Sequence, residues 1–230
     1  MRLRFVTWNV RHGLGLDRQV SLERVLRVLT PLEPDVVALQ ELDVRRARSR
    51  HVDQPAWLAD RLAMRVVFAQ TCAGYGHALF CRGRISRHRE VPLPHGRASE
   101  PRAVIDATLD TGVRVLATHL GLIPHERAAQ ARVVMDALGE ARMPLLLLGD
   151  LNASPGAGRL RRARPRAEGW ARYDPLRARC TWPALWPFRA LDHALASEGV
   201  VISDGHALGE GAARLASDHR PIVGEAAVAR

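Results

Sequence analysis

The stretch Leu145-Leu146-Leu147-Leu148-Gly149-Asp150-Leu151-Asn152 decides how the fold and the chemistry of this chain are interpreted. Its four consecutive leucines predict a strand that is buried on both faces of a sheet. If the strand continues past Gly149, alternation places the side chains of Asp150 and Asn152 on the same side of the sheet. A carboxylate beside a carboxamide suits a phosphate or an oxygen bound to a metal. An Asx turn through Ser154 and Pro155 would explain the same residues without any ligand.

The composition is that of a folded α/β protein, and we expect residues 1–230 to form a single domain. Of the 230 residues, 47% are hydrophobic and 25% are charged, which is enough to bury a sizeable core. The net charge of +10 permits a polyanionic partner such as nucleic acid. However, all 34 basic residues are arginines, and only the segment from Arg159 to Arg172 is dense in them. The charge therefore permits a nucleic-acid partner without identifying one.

The cysteines and the apolar segments bear on the cellular compartment. Cys72, Cys81 and Cys180 lack a Cys-x-x-Cys spacing, which argues against a disulfide framework and against a thiolate zinc site. The sequence starts without the apolar region of a signal peptide, and its longest apolar run is too short to span a membrane. We therefore expect a cytoplasmic protein without a membrane span, and we expect a monomer.

Hydrophobic periodicity predicts strands both in hairpins and in strand–helix–strand order. A hairpin turn is expected at Asp110-Thr111-Gly112, and a long Pro- and Arg-rich connection covers 156–187. This mixture favours two sheets packed face to face, with helices on the outside. Helices are predicted at 20–29, 55–64 and 125–139, and strands at 3–8, 35–39, 66–69, 77–82, 102–109, 113–119, 145–148, 190–197 and 222–228.

Polar side chains are concentrated where the predicted strands begin or end. Each of them has an ordinary explanation when it is taken alone, because a single histidine or carboxylate is usually structural or solvated. Their joint occurrence predicts a functional site, since loops at strand ends reach a ligand while the sheet stays rigid. The residues are Asn9, Glu41, His119, Asp150, Asn152, Asp192, Asp218 and His219.

Seven sequence blocks, in order, resemble the signature of the endonuclease/exonuclease/phosphatase family, whose fold resembles deoxyribonuclease I. The resemblance extends from about residue 4 to residue 228. It implies an α/β four-layered sandwich, in which two packed mixed β-sheets are flanked by helices. It also implies cleavage of phosphate esters that depends on a divalent metal, usually Mg²⁺, with Mn²⁺ as the alternative. The blocks are Thr7-Trp8-Asn9, Leu39-Gln40-Glu41, Gly76-His77-Ala78-Leu79, Thr118-His119-Leu120, Gly149-Asp150-Leu151-Asn152, Leu191-Asp192-His193 and Ser217-Asp218-His219-Arg220-Pro221.

Five residues are the candidates for catalysis. A carboxylate hydrogen-bonded to an imidazole raises the basicity of the ring, so Asp192 and His219 suit the activation of water, and the resemblance supports this pairing. Asp150 would orient the nucleophile or manage the proton of the leaving group. Asn152 and His119 would donate hydrogen bonds to phosphoryl oxygens.

The remaining candidates concern the metal and the substrate. Glu41 would hold the metal, Asn9 would assist there and orient the phosphate, and Asp218 would contribute directly or through water. Arg102 resembles a phosphate-steering arginine of some relatives, although one more surface arginine is an equal explanation. His77 stands where many relatives have asparagine. His193 is expected to be structural, because alternation turns it away from Asp192.

These residues predict a divalent-metal-dependent phosphoesterase that hydrolyses phosphodiester bonds in the manner of a nuclease, with a water activated by Asp and His. The alternative is a phosphatase or phosphodiesterase acting on a small nucleotide, inositol or lipid head group, and a more distant one is a non-catalytic binding protein with a degenerate site. Nucleic acid is a candidate partner, because the arginines of 159–166, which Trp170 follows, could contact a backbone, and Trp182 or Trp186 could stack on bases. A solvated helix face is the competing explanation of the arginine run.

Overall fold

The structure is a computed structural model that describes residues 1–139, 143–153 and 180–228. Within these ranges, eleven strands form two mixed sheets. They are β1 (Arg2–Asn9), β2 (Val36–Asp43), β3 (Arg65–Cys72), β4 (Tyr75–Cys81), β5 (Ile85–Leu93), β6 (Arg102–Leu109), β7 (Arg114–His119), β8 (Leu145–Asp150), β9 (Asp192–Ala196), β10 (Val200–Ala207) and β11 (Ile222–Val228). The helices are α1 (Leu22–Leu29), α2 (Gln54–Leu62), α3 (Pro124–Gly139) and α4 (Ala213–Ala216).

The first sheet has six strands in the order β10-β11-β1-β2-β4-β3, and the second has five in the order β5-β6-β7-β8-β9. Each sheet contains one parallel pair, β1 with β2 and β7 with β8, and its other pairs are antiparallel. These parallel pairs place the ends of β1, β2, β7 and β8 where the polar residues of the predicted site occur.

Three hydrophobic clusters hold the layers together. The central cluster lies between the sheets and contains Phe5, Ile105, Leu146 and Leu148. A second cluster packs α1, α2 and α4 on the outer face of the six-stranded sheet. A third joins α3 to Leu145 and other residues on the outer face of the five-stranded sheet. The layers are therefore helix, sheet, sheet and helix, which confirms the predicted four-layered α/β sandwich.

The leucine strand is buried on both faces, as its composition predicts. Leu146 and Leu148 face the other sheet, whereas Leu145 and Leu147 face α3. All four side chains are at most 1% exposed. Burial of this kind stabilises the fold by about 1.5–3 kcal/mol for each leucine. The rigid strand that results carries Asp150 at its end.

Helix boundaries follow local capping. Ser21 precedes α1 and its side chain accepts a hydrogen bond from the Arg24 backbone N–H. Asp53 caps α2 in the same way through Ala56, and Pro55 occupies the first turn. None of the described helices combines the length and the hydropathy that crossing a bilayer requires.

Two strands were not expected from the pattern, and both lie at sheet edges. β5 shows five consecutive exposed residues, Ser86 to Glu90, so it lacks the alternation that identifies a half-buried strand. β10 is interrupted by an irregularity between Ser203 and His206, with Asp204 at a φ of 53°. These edge strands are specified by pairing with the next strand of the chain, β6 or β11, rather than by their own pattern.

The condition for placing Asp150 and Asn152 on one side of the sheet is not met. β8 ends at Asp150, and Asn152 has a left-handed backbone with a φ of 50°. The Arg159–Arg172 run, Trp170 and the proposed Asx turn through Ser154 and Pro155 lie outside the described residues.

Candidate active site

Residues from both sheets meet at one edge of the sandwich. Asn9 ends β1 in the first sheet, while Asp150 ends β8 in the second. The amide nitrogen of Asn9 donates to Oε1 of Glu41 at 2.9 Å and to Oδ2 of Asp150 at 3.1 Å. The side-chain oxygen of Asn9, Oδ1, accepts a hydrogen bond from the backbone N–H of Arg11 at 3.1 Å. Asn9 therefore links two carboxylates that come from different sheets.

Glu41 reaches this edge because β2 bulges before it ends. The pairing of β2 with β4 shifts between Leu39 and Leu42, and Glu41 has a φ of 62°. Burial raises the pKa of the Glu41 carboxyl, against the hydrogen bond from Asn9, and the nearby charge of Asp218 raises it further. The bulge thus turns a half-buried carboxylate toward the residues at the end of β8.

Asp192 and His219 form a hydrogen-bonded pair. The Nδ1 atom of His219 lies 2.8 Å from Oδ2 of Asp192, and both side chains are at most 8% exposed. Burial favours the neutral ring, but the Asp192 carboxylate outweighs it and raises the pKa of His219 to about 10. The other carboxylate oxygen of Asp192 is buried and has no hydrogen-bond partner among the described residues.

The backbone around this pair is fixed by hydrogen bonds from three segments. The Ser217 hydroxyl donates to the Asn9 carbonyl at 2.7 Å and accepts from the His219 backbone N–H at 3.2 Å. The indole N–H of Trp8 donates to the carbonyl of His219 at 2.8 Å. The Thr181 hydroxyl oxygen accepts from the backbone N–H of Asp192 at 3.3 Å. Hydrogen bonds to β1 and to neighbouring segments therefore fix the position of the His219 imidazole.

Asp150 lies between two imidazoles. Its Oδ2 atom is 3.6 Å from Nε2 of His119 and 3.9 Å from Nε2 of His219. Its Oδ1 atom accepts a hydrogen bond from the backbone N–H of Asn152 at 2.8 Å, which closes an Asx turn at Asp150. Burial and the charge of Asp192 raise the pKa of Asp150 to about 7.

Asn152 lies beside this cluster, but its amide already has a protein partner. Its amide nitrogen donates to the carbonyl of Leu120 at 2.8 Å. Gly149 permits the close approach of β8 to β7 here, because an added Cβ would meet the carbonyl oxygen of Thr118. The turn after β8 is consequently tied to the end of β7.

Arg102 contacts His119, which no sequence motif indicated. A terminal nitrogen of its guanidinium, Nη1, lies 2.8 Å from Nδ1 of His119 and 3.1 Å from Oε1 of Glu100. Burial lowers the pKa of His119 well below its ordinary value, and the charge of Arg102 lowers it further. Counting outward from the predicted hairpin turn at Asp110-Thr111-Gly112 would have placed these two residues together, since β6 pairs with β7 in antiparallel register.

Two further histidines of the sequence blocks, His77 and His193, are also buried. His77 is 1% exposed, its Nε2 atom has no partner in the described part of the chain, and burial lowers its pKa to about 4. His193 is buried with Nε2 at 2.8 Å from the Ala153 carbonyl oxygen, as expected for a structural residue.

Arg11 is a second residue whose importance the sequence did not indicate. Its backbone is left-handed, with a φ of 48°, and this conformation continues through His12 and Gly13. The turn aims the Arg11 backbone N–H at the oxygen of Asn9, which leaves the amide nitrogen of Asn9 for the carboxylates. Its guanidinium Nε lies 3.9 Å from Oδ2 of Asp218. Strained backbone of this type is common at functional sites.

The donor set fits a divalent cation. Among the described residues, Asp150, Asp192 and His219 offer ligand atoms within 4.8 Å of one another. Glu41 joins Asp150 through Asn9, and Asp218 raises the pKa of Glu41 through its charge. The pKa values of Glu41 and Asp150 are raised mainly by burial, and an oxygen of Asp192 has no hydrogen-bond partner among the described residues, so a bound cation would stabilise the ionised carboxylates. Oxygen-rich sites of this kind suit Mg²⁺ or Mn²⁺.

An aromatic loop lies next to this cluster. The backbone N–H of Ala184 donates to the carbonyl of Asp218 at 2.8 Å, and Nε of Arg220 donates to the carbonyl of Ala184 at 2.6 Å. Two side chains of the loop are strongly exposed, Trp186 at 77% and Phe188 at 69%. The loop therefore presents aromatic surface on a backbone that is attached to the site.

Solved structures share this fold at low sequence identity. An endonuclease/exonuclease/phosphatase from Beutenbergia cavernae DSM 12333 is 23% identical, with a TM-score of 0.73 over 99% of this chain and 72% of that chain. The human Nocturnin catalytic domain with bound sulfate anion is 21% identical, with a TM-score of 0.76 over 99% and 94%. D. rerio TDP2 complexed with single strand DNA product is 19% identical, with a TM-score of 0.77 over 99% of both chains.

The comparison with family models agrees with the fold. No curated protein matches the chain. The model of the Endonuclease/Exonuclease/phosphatase family matches residues 6–219, which include every residue of the site described above. The chain therefore belongs to the endonuclease/exonuclease/phosphatase family.

Proposed function

We propose that this chain is a divalent-metal-dependent phosphodiesterase of nuclease type, in which Asp192 and His219 activate the attacking water. The family is generally hydrolytic on phosphoester bonds. The observation that carries the proposal is the 2.8 Å hydrogen bond between Asp192 and His219, placed 3.9 Å from the carboxylate of Asp150. A buried carboxylate–imidazole pair beside a second carboxylate supplies a base and an acid for the two ends of an ester hydrolysis.

Each residue has a defined task in this proposal. Asp192 accepts the Nδ1–H of His219, which fixes the tautomer and leaves Nε2 to take a proton from water. Asp150 orients the attacking water or manages the proton that the leaving oxygen receives. His119 donates a hydrogen bond to a phosphoryl oxygen. Asn152 and His77 are kept as candidate contacts for the phosphate and the substrate.

The metal would be held mainly by Glu41, with Asn9 and Asp218 assisting and Asp150 facing it. A cation bound among these groups would neutralise charge on the phosphoryl oxygens and, through its own charge, lower the pKa of His219 toward neutrality. Asn9 keeps Glu41 and Asp150 close to each other when no cation is bound, because one amide nitrogen donates to both. The site is therefore organised in advance for a small, hard cation such as Mg²⁺, with Mn²⁺ as the alternative.

Nucleic acid is the substrate class that the surface favours. The exposed rings of Trp186 and Phe188 lie on a loop whose backbone is hydrogen-bonded to Asp218, so a base could stack there while its phosphate reaches the site. The net charge of +10 is favourable for a polyanion. One structural neighbour, D. rerio TDP2, is complexed with single strand DNA product.

A phosphatase or phosphodiesterase acting on a small nucleotide, inositol or lipid head group uses the same catalytic set. A panel of single-stranded DNA, RNA, nucleotides, phosphoinositides and sphingomyelin, assayed with Mg²⁺ or Mn²⁺, separates these substrates. Bis-p-nitrophenyl phosphate in the same panel tests diesterase chemistry without a recognition requirement. We expect cleavage of this ester and of single-stranded nucleic acid, and suppression of both by EDTA.

Two variants test whether the panel reports base stacking on the exposed aromatic loop. Trp186→Ala should weaken cleavage of nucleic acid while leaving hydrolysis of bis-p-nitrophenyl phosphate unchanged, because the small ester has no base to stack. Leu215→Ala removes another exposed apolar side chain, 49% exposed, and should alter neither activity. A chain that binds the cation but cleaves none of the esters would instead be a binding protein with a degenerate site.

A further inference from the structure

We propose that Arg102 is a positioning residue, which holds His119 in the tautomer that carries its proton on Nε2. His119 then acts as a neutral hydrogen-bond donor toward the substrate. The role toward a phosphate rests on the proposed function, whereas the tautomer can be tested without any activity.

The tautomer follows from the chemistry of the guanidinium. Arginine stays protonated in proteins, and each of its nitrogens can only donate. Because Nη1 of Arg102 lies 2.8 Å from Nδ1 of His119, Nδ1 must be the acceptor of that hydrogen bond. The single ring proton is consequently on Nε2.

The same contact disfavours the doubly protonated ring. A proton on Nδ1 would face the N–H of Nη1, so two donors would oppose each other in a region where His119 is 5% exposed. His119 therefore offers Nε2–H as a donor and presents no unprotonated nitrogen to the site. This separates its task from that of His219, whose Nε2 is placed to accept a proton.

The Nε2–H group of His119 is placed to donate a hydrogen bond within the site. His119 is the last residue of β7, and its Nε2 atom lies 3.6 Å from Oδ2 of Asp150. That distance is longer than a hydrogen bond, so Asp150 leaves this N–H able to turn to an oxygen of the substrate. A neutral imidazole that donates in this way stabilises developing negative charge without a proton transfer.

Arg102 is placed to support His119 rather than to capture substrate from solvent. Its side chain is 6% exposed, and Nη1 is also 3.1 Å from Oε1 of Glu100. The alternative is direct contact with a phosphate through its Nε atom, which is buried and has no hydrogen-bond partner in the described ranges. A contact with substrate and an action through His119 differ in which kinetic constant they change.

Nitrogen-15 NMR of the wild-type protein tests the tautomer directly. Long-range proton–nitrogen correlations of the His119 ring, assigned by comparison with His119→Gln and recorded with and without Mg²⁺, should show a protonated Nε2 and an unprotonated Nδ1. A protonated Nδ1 in the metal-free protein or in the Mg²⁺-bound one would overturn the proposal. This measurement needs no Arg102 variant, so it is unaffected if such a variant fails to fold.

Kinetics of Arg102→Met on bis-p-nitrophenyl phosphate test the positioning role. We expect kcat to fall by about 10- to 100-fold, as for partners that orient a functional imidazole, with KM changed by less than about twofold. The His119 ring of the folded variant should show a mixture of tautomers. Arg87→Met, at an exposed arginine of β5, removes the same charge and should change neither constant.

Two results would contradict the positioning role. A rise in KM with an unchanged kcat would assign Arg102 to direct phosphate binding, and an unchanged tautomer in a variant with reduced kcat would show that His119 does not need Arg102. If the wild-type protein hydrolyses none of the esters, the proposed function fails, while the NMR spectrum still decides the tautomer.

Discussion

His219 and Asp192 are 27 positions apart in the chain and share a hydrogen bond of 2.8 Å between Nδ1 and Oδ2. Asp192 begins β9 of the five-stranded sheet, whereas His219 lies just before β11 of the six-stranded sheet. The hydrogen bond between Asp192 and His219 therefore requires the sandwich to be packed.

Replacing Asp192 by asparagine should lower kcat about 1,000-fold or more, because an amide can hold the His219 ring in the wrong tautomer. The measurement is kcat for bis-p-nitrophenyl phosphate at saturating Mg²⁺. In the His219→Ala background the same substitution should cost little more, since the two residues act as one unit. Fully additive losses would show that Asp192 and His219 act separately.

Replacing Asp150 by asparagine should lower kcat at least about 100-fold while the fold is retained, because the carboxyl that manages the leaving-group proton is lost. Circular dichroism and a thermal melt establish folding, and initial rates give the activity. Asp136→Asn, at an exposed position of α3, is the control and should have normal activity. Near-normal turnover of folded Asp150→Asn would remove Asp150 from the mechanism.

Replacing Glu41 by glutamine should raise the Mg²⁺ concentration needed for half-maximal rate by at least about tenfold, because one negative ligand becomes neutral. The readout is the rate as a function of Mg²⁺ at fixed substrate. Glu23→Gln, on the exposed face of α1, should leave the titration unchanged. An unaltered Mg²⁺ requirement in Glu41→Gln would place the cation elsewhere.

Asp106 should contribute stability that depends on pH. Burial opposes ionisation of its carboxyl, but hydrogen bonds from Arg114 and Arg89 outweigh burial and lower the pKa of Asp106 below its ordinary value of 3.8. A carboxyl whose pKa is lower in the folded state stabilises the fold above about pH 4, and that stability is lost as the pH falls through the folded-state pKa.

Asp106→Asn should therefore lower the free energy of unfolding by about 2 kcal/mol at pH 7 and by much less at pH 2, because the substitution leaves Arg114 partly buried without its carboxylate. Urea unfolding at both pH values measures this difference. Asp60→Asn breaks the exposed contact with Arg61 at 3.8 Å and should change the stability by less than about 0.5 kcal/mol. An equal loss at both pH values would contradict the assignment to ionisation.

The sequence predicted the central strands, the layers and the residues at the strand ends, because hydrophobic runs and alternation report burial directly. It did not predict β5 and β10, since edge strands such as Ile85–Leu93 bury too little to show a pattern. Each of these two strands forms by pairing with its partner, β5 with β6 and β10 with β11, and this pairing leaves no hydrophobic pattern in the strand itself.

The site was predictable only as a set of residue types. Sequence indicated Asn9, Glu41 and Asp150, but the hydrogen bond that joins Asn9 to Asp150 depends on the packing of two sheets. The contact between Arg102 and His119 depends on hairpin register, and the orientation of Asn152 depends on a left-handed residue after β8. The sequence encodes the backbone conformation of a single residue only weakly. The side-chain alternation of a continued strand therefore placed Asn152 wrongly.

The backbone at Glu41 also affects how the chain would respond to directed evolution. Glycine or asparagine adopts a φ of 62° with less strain than glutamate, by roughly 1 kcal/mol. A library screened only for thermal stability would therefore enrich variants that lose the carboxylate at position 41, and these variants would be stable but inactive. Directed evolution of a more stable form of this protein therefore requires that turnover be measured in every round.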